Sequence, residues 1–147
     1  MAHPLNFARV DDRIFRGGQP KGIEWDSLVY EGIRSVLKLN ELTTGDDASA
    51  CSSRGLILIE FTITDEVAQS QIDEVSVFDR IDDILDSGGP WYAHCTEGKD
   101  RVGIVVARYR VRRQGWSKEK AWNEWVAMGS HGYKGLVKAW QDWQPGK

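Results

Sequence analysis

The segment Tyr92-Ala93-His94-Cys95-Thr96-Glu97-Gly98-Lys99-Asp100-Arg101-Val102-Gly103 sets a thiol and a guanidinium with five residues between them. A thiolate is a strong nucleophile, and a guanidinium is a planar fork matched to two oxygens of one phosphate. The apolar run after Gly88-Gly89-Pro90 predicts a buried strand that ends at the cysteine. Behind Arg101, the residues Ile104, Ala107, Arg108 and Val111 recur at helical spacing. Strand, tight loop and helix in that order turn successive backbone N–H groups and a helix N-terminus into one small concavity, which binds an oxyanion. Cys95 is expected at its floor, where the same positive potential favours a thiolate. The chemistry these residues suit is attack on a phosphorus centre whose oxygens are held by the N–H groups of residues 96–101 and by Arg101.

The pattern His94-Cys95-x5-Arg101, with Gly98 inside the loop, resembles the signature of the cysteine-dependent protein tyrosine phosphatase superfamily. The Gly98-Lys99-Asp100-Arg101 run is similar to its small dual-specificity-like and inositol phosphatase-like branch. The resemblance is strong over residues 90–103 and weaker elsewhere. Arg16-Gly17-Gly18-Gln19-Pro20 is similar to the N-terminal turn of bacterial dual-specificity-like phosphatases, which leaves Arg16 either near the pocket or a solvated turn residue.

The resemblance implies a minimal α/β fold of that family and a phosphocysteine formed on Cys95. The substrate would be held by Thr96, Glu97, Gly98, Lys99, Asp100 and Arg101, with His94 propping the loop. It also implies a general acid upstream. Asp65 lies there, at the end of a predicted strand, although a carboxylate in that place can equally cap the next helix. The spacing of Cys95, Glu97, Gly98, Asp100 and Arg101 is also similar to the myotubularin lipid phosphatases, in which the loop aspartate has been assigned the acid's role. Asp100 therefore competes with Asp65, or orients the loop instead. One position departs from the family: a hydroxyl residue usually follows the arginine, and here Val102 does. That puts the release of the cysteine as thiolate in doubt.

Lys99 and the acidic spacing favour inositol polyphosphates or phosphoinositides as substrate, with a phosphoprotein as the alternative. A non-catalytic phosphate-recognition module is a second class of reading, carried by Val102. A third is another thiol enzyme, such as an arsenate reductase or a rhodanese, and Cys51 would be its second thiol. Three histidines and two cysteines without paired spacing argue against a zinc site, and no cofactor is called for. Ala93 and Asp100 break the pattern of a nucleotide-binding Walker loop.

The elements that must position these residues follow from the rest of the chain. At 147 residues it suits one phosphatase-like domain, residues 1–147. A net charge of −3 leaves no footprint for nucleic acid, so any anion-binding potential must be local. No stretch reaches the ~18 apolar residues of a membrane span, no leader is visible, and two cysteines make no disulfide framework. The expectation is a cytoplasmic monomer.

Ile14–Arg16 predicts a short edge strand, 23–31 a helix packed through Trp25, Leu28 and Val29, and 33–39 a strand buried on both faces. Residues 43–54 are polar and predict a mobile loop with room for a short helix. Residues 56–63 form the clearest β run. A helix through Ile72, Phe78, Ile81 and Leu85 follows, its Asp73, Glu74, Asp79, Asp82 and Asp83 read as a solvated acidic face. Arg108, Arg110, Arg112 and Arg113 suit the C-terminus of the helix after the loop. Ser117 caps a further helix packed through Ala121, Trp122, Trp125, Val126 and Met128, and a last helix carries Leu136, Trp140 and Trp143. Strands followed by helices in this order imply a central, mainly parallel sheet with the site at the strands' carboxyl ends.

Overall fold

The computed structural model describes residues 1–64 and 75–146. Five strands, β1 (Ala8–Arg9), β2 (Ile14–Gly17), β3 (Ser35–Lys38), β4 (Ile57–Glu60) and β5 (Trp91–His94), form one sheet in the order β1-β2-β5-β3-β4. β1 runs antiparallel to β2, and the other neighbours are parallel. Helices α1 (Glu24–Tyr30) and α2 (Asp47–Arg54) cover one face of this sheet. The other face carries α3 (Val75–Leu85), α4 (Arg101–Gln114), α5 (Lys118–Ala127) and α6 (Lys134–Asp142). The expected α/β architecture is thus present, with a sheet that is mixed only through β1. Among the described residues no helix is long and apolar enough to cross a membrane.

Strand alternation explains the two cores. Val36 and Tyr92 pack with Trp25, Leu28 and Cys51 under α1 and α2. Their neighbours Leu37, Leu39 and Ala93 pack with Ile104, Val105, Trp125 and Trp140 on the opposite face. Because β5 is central, both of its faces are buried, as the continuous apolar run implies. Trp125 and Trp140 meet edge-to-face at 6.2 Å between ring centroids, so these tryptophans are core. Ser117 caps α5 as its sequence suggests, accepting from the Lys120 backbone N–H.

Several expectations need correction. β2 is not an edge strand, because β1 flanks it and all four of its residues are buried. Most of 43–54 is helical rather than loop, since α2 buries Asp47, Ala50 and Cys51 against the sheet. Val29 and Val126 are exposed, because the buried stripes of α1 and α5 are narrow: Trp25 and Leu28 on one, Ala121 and Trp125 on the other. Of the β run of 56–63 only β4 is regular strand, although the Phe61 and Ile63 N–H groups still donate to the Lys38 and Leu39 carbonyls, and Ile57 is exposed on this edge strand. The acidic face of α3 is not wholly solvated: Asp82 is buried against Arg108, and Arg108 is itself buried rather than placed at the helix end for its dipole.

Candidate active site

Cys95 follows β5 directly, is buried, and opens a loop that ends where α4 begins at Arg101. The backbone carbonyls of this loop are tied down one after another. His94 Nδ1 meets the Cys95 carbonyl at 3.2 Å, the Gln19 N–H donates to Thr96 O at 3.0 Å, and Asn6 Nδ2 to Glu97 O at 2.8 Å. Arg16 Nη2 donates to Gly98 O at 3.0 Å and Trp125 Nε1 to Lys99 O at 3.1 Å. In a planar trans peptide the N–H of the next residue points away from the carbonyl. With the carbonyls of residues 95–99 held outward, the N–H groups of 96–100 turn to the opposite, inner side. N–H groups so turned would suit an anion nest.

Gly98 is required twice over. Its φ is +78°, and a Cβ there would lie 2.6 Å from the Gly17 carbonyl carbon and 2.7 Å from Gly18 N. The Gly17-Gly18 turn is therefore the bed on which the loop rests. Arg16 is buried beneath the loop, so of its two readings the one near the site is correct, in a supporting place.

Beneath His94 lies a buried polar network. β3 and β5 pair with Lys38 opposite His94, both side chains on the α2 face of the sheet. Asp47 of α2 reaches both. Its Oδ2 accepts from His94 Nε2 at 2.7 Å, and its Oδ1 from Lys38 Nζ at 3.0 Å and Gln19 Nε2 at 2.7 Å. Burial opposes ionisation of Asp47, but the bonds from His94, Gln19 and Lys38 outweigh it and hold the carboxyl below its ordinary range. Gln19 Oε1 accepts from Lys38 at 2.9 Å and from Asn40 at 3.1 Å, and Asn40 reaches Thr96 Oγ1 at 3.3 Å.

On the open side, both terminal nitrogens of Arg101 donate to the Glu41 carboxylate, at 2.8 and 3.3 Å. An incoming oxyanion must share the guanidinium with Glu41 or displace it. Asp100 is held by His131 on both oxygens, from the backbone N–H at 2.7 Å and the ring Nδ1 at 2.6 Å. Val102 is fully buried in the first turn of α4. Glu97 and Thr96 are exposed, and Lys99 is half-buried. Cys51 is buried on α2, where burial first, and then the Asp47 carboxylate, push its thiol up to about 12. It is no second reactive thiol. Asp65 lies outside the described residues.

The structure thus brings Cys95, Thr96, Glu97, Gly98, Lys99, Asp100 and Arg101 onto one loop with His94 behind it. The residues that sequence reasoning missed are Gln19, Lys38, Asn40, Glu41, Asp47 and His131. One of them left a signal: a lysine between Leu37 and Leu39 in a doubly buried strand demands a buried partner.

Comparison with known proteins follows the same lines. A rice (Oryza sativa subsp. japonica) inositol diphosphatase, DSP2, is 31% identical over 125 residues, covering 83% of this chain and 61% of that protein. The chain thus spans about three fifths of the length of that curated relative. The solved catalytic core of Siw14 superposes with a TM-score of 0.81 at 19% identity, over 96% of this chain and 84% of that one. TpbA from P. aeruginosa superposes with a TM-score of 0.75, also at 19% identity, over 95% of this chain and 86% of that one. At such identities the structures speak for the fold alone. The model of the tyrosine phosphatase family matches residues 1–140, and the chain belongs to that family.

Proposed function

We propose that the chain is a cysteine-dependent phosphomonoesterase that works through a phosphocysteine on Cys95. The observation that carries this reading is the row of carbonyls, residues 95 to 99, tied outward around a buried cysteine. It implies five N–H groups converging on one oxyanion above the thiol. Cys95 Sγ attacks phosphorus, the P–O ester bond breaks, and the leaving oxygen takes a proton. Water then cleaves the P–S bond, and Cys95 departs as thiolate. Arg101 spans two phosphate oxygens throughout.

Asp65 is proposed as the proton donor. The engagement of both Asp100 oxygens by His131 supports an orienting task for Asp100 instead, since its carboxylate is already turned to that partner. The favoured substrates are inositol polyphosphates or phosphoinositides. Lys99 in the loop and the activity named for the rice relative support that class, and a phosphotyrosine protein is the alternative. The match over residues 1–140 supports reading the chain as a single phosphatase-like domain. A binding module without turnover is favoured by one observation: the apolar, fully buried Val102 offers no hydroxyl to the departing thiolate.

The test is a phosphate-release panel of inositol hexakisphosphate, phosphoinositides and phosphotyrosine peptides with wild type, Cys95→Ser and Asp65→Asn. Cys95→Ser is expected to lose all hydrolysis while still binding vanadate. Asp65→Asn is expected to lose roughly 10²–10⁴-fold on these poor leaving groups and far less on an activated aryl phosphate. Turnover retained by Cys95→Ser ends the cysteine mechanism. Phosphate binding without release from any substrate selects the binding module.

A further inference from the structure

Arg16 carries an inference that deepens the phosphatase reading and rests on it so far as an oxyanion enters the loop. Ile14 and Arg16 leave β2 on the face that Ala93 shares, where the packing beneath α4 is apolar. There Arg16 is 2% exposed. Its Nη2 donates to Gly98 O at 3.0 Å, and its Nε is buried with no hydrogen-bond partner. Among the described residues no carboxylate pairs with it. Glu124, the acidic group that favours its charge most, is engaged by Arg110, whose Nε and Nη2 reach the two carboxylate oxygens at 3.0 Å each. Burial acts most strongly on Arg16 and disfavours the charge, and Arg110 adds to that as a like charge. A guanidinium nonetheless keeps its proton in a protein.

A buried charge without a counter-charge is destabilising. A neutral donor would serve the Gly98 carbonyl, so the carbonyl does not account for the charge. The loop itself is where a counter-charge can enter. With Gly98 O held by Arg16, the planar peptide turns the Lys99 N–H inward, so guanidinium and anion address one peptide from opposite sides. The bond from Arg16 polarises that peptide and strengthens its N–H as a donor. Two glycines permit the close approach: a Cβ at Gly18 would lie 2.8 Å from Thr96 O, and one at Gly98 would lie 2.6 Å from the Gly17 carbonyl carbon. Arg101 differs, because the Glu41 carboxylate already stands against it.

We infer that Arg16 is a positioning and specificity-determining residue of the anion site: acting through the Gly98–Lys99 peptide, its buried guanidinium supplies from behind the loop a positive charge that the bound oxyanion balances. The ligand class follows from charge. Such a site favours a phosphate monoester dianion over a monoanionic group of the same shape, such as a diester or a sulfate ester.

Two tetrahedral oxyanions of nearly equal size, the dianion tungstate and the monoanion perrhenate, separate this from a role in loop shape alone. Their binding is followed at pH 7 by the backbone amide shifts of residues 96–101 in ¹⁵N–¹H spectra, which also report folding. Arg16→Met is expected to weaken perrhenate about tenfold and tungstate about a hundredfold, the scale of one unit charge acting per anion charge over about 12 Å at an effective dielectric of about 20. A side chain that merely props the loop would, when lost, weaken both anions by the same factor. Arg16→Lys keeps the charge and a donor for Gly98 O, and is expected to keep most of the wild-type ratio of the two affinities.

An unchanged ratio in Arg16→Met, or a ratio in Arg16→Lys as low as in Arg16→Met, overturns the inference. Should Arg16→Met not fold, Arg16→Gln takes its place with the same expectation, and a ratio about tenfold lower in Arg16→Lys still overturns it. Neither titration requires turnover. If wild type takes up neither anion, the phosphatase reading falls and this inference with it. If both anions bind and the ratio holds in Arg16→Met, this inference alone falls.

Discussion

Asp47 and Asp82 are both buried carboxylates bonded to a buried cation, and they behave in opposite ways. Asp47 gathers three donors from three segments, and they hold it below the ordinary carboxylate range despite burial. Asp82 on α3 takes a forked bond from Arg108, at 2.6 to 3.3 Å, and a longer contact from Arg112. There burial prevails, and it pushes the carboxyl above its ordinary range. Among the described residues Arg108 Nη1 and Arg112 Nη2 are buried with no hydrogen-bond partner, so that network is incompletely satisfied. The Arg108 guanidinium stacks 4.4 Å above Trp143 and ties α3 to α4 and to the end of α6. Asn40 Oδ1, at the edge of the Asp47 network, is likewise buried without a hydrogen-bond partner among the described residues, and that network lies under the anion loop. The other clamps helices on the opposite face. Burial of charge alone does not mark a functional site; its place beside a reactive loop is the better guide.

The largest effect that sharpens this contrast is expected from Arg108→Met, which leaves Asp82 buried without its main partner. A loss of about 3–5 kcal/mol in unfolding free energy, read from the denaturant midpoint, is expected. Activity per folded molecule should not change. A folded Arg108→Met protein with tenfold weaker hydrolysis would erase the distinction between the two networks.

The contrast can also be read from pH. Asp47 has a depressed folded-state pKa, so its stabilisation is present above about 3.8 and is lost as pH falls through the lower folded value. The stability difference between wild type and Asp47→Asn should therefore shrink below that point. Asp82 has a raised one, so the folded state takes up its proton first and the contribution of Asp82 grows as pH falls towards 3.8. The difference between wild type and Asp82→Asn should widen on acidification from neutrality. Chemical denaturation at pH 7, 5 and 3.5 gives both slopes, and slopes of the same sign would break the comparison.

The smallest effect concerns the partly exposed Glu41–Arg101 pair at the mouth of the site. Removing a like charge beside the bound anion in Glu41→Gln should tighten vanadate binding by about two- to fivefold, within the ~0.2–1 kcal/mol typical of exposed pairs. The gain should fade at high salt. Weaker binding would mean that Glu41 is needed to aim the fork.

What the sequence determined by itself is local. The strand into Cys95, the five-residue loop, Gly98 and the helix from Arg101 all follow from spacing within a dozen residues, because periodicity and turn chemistry act over that range. Residues 33–39, which alternate little, likewise announced a strand buried on both faces, in which a lysine at 38 needs a buried partner. Only the tertiary structure decided that the partner is Asp47, from a polar stretch that reads as a mobile loop. Only it decided that Asp82 leaves a seemingly solvated face to meet Arg108, that His131 holds Asp100, and that Arg16 lies under the loop. These pairings join residues far apart in the chain. A polar side chain's type says that it needs a partner when buried, but which partner it meets is set by how the sheet and helices pack.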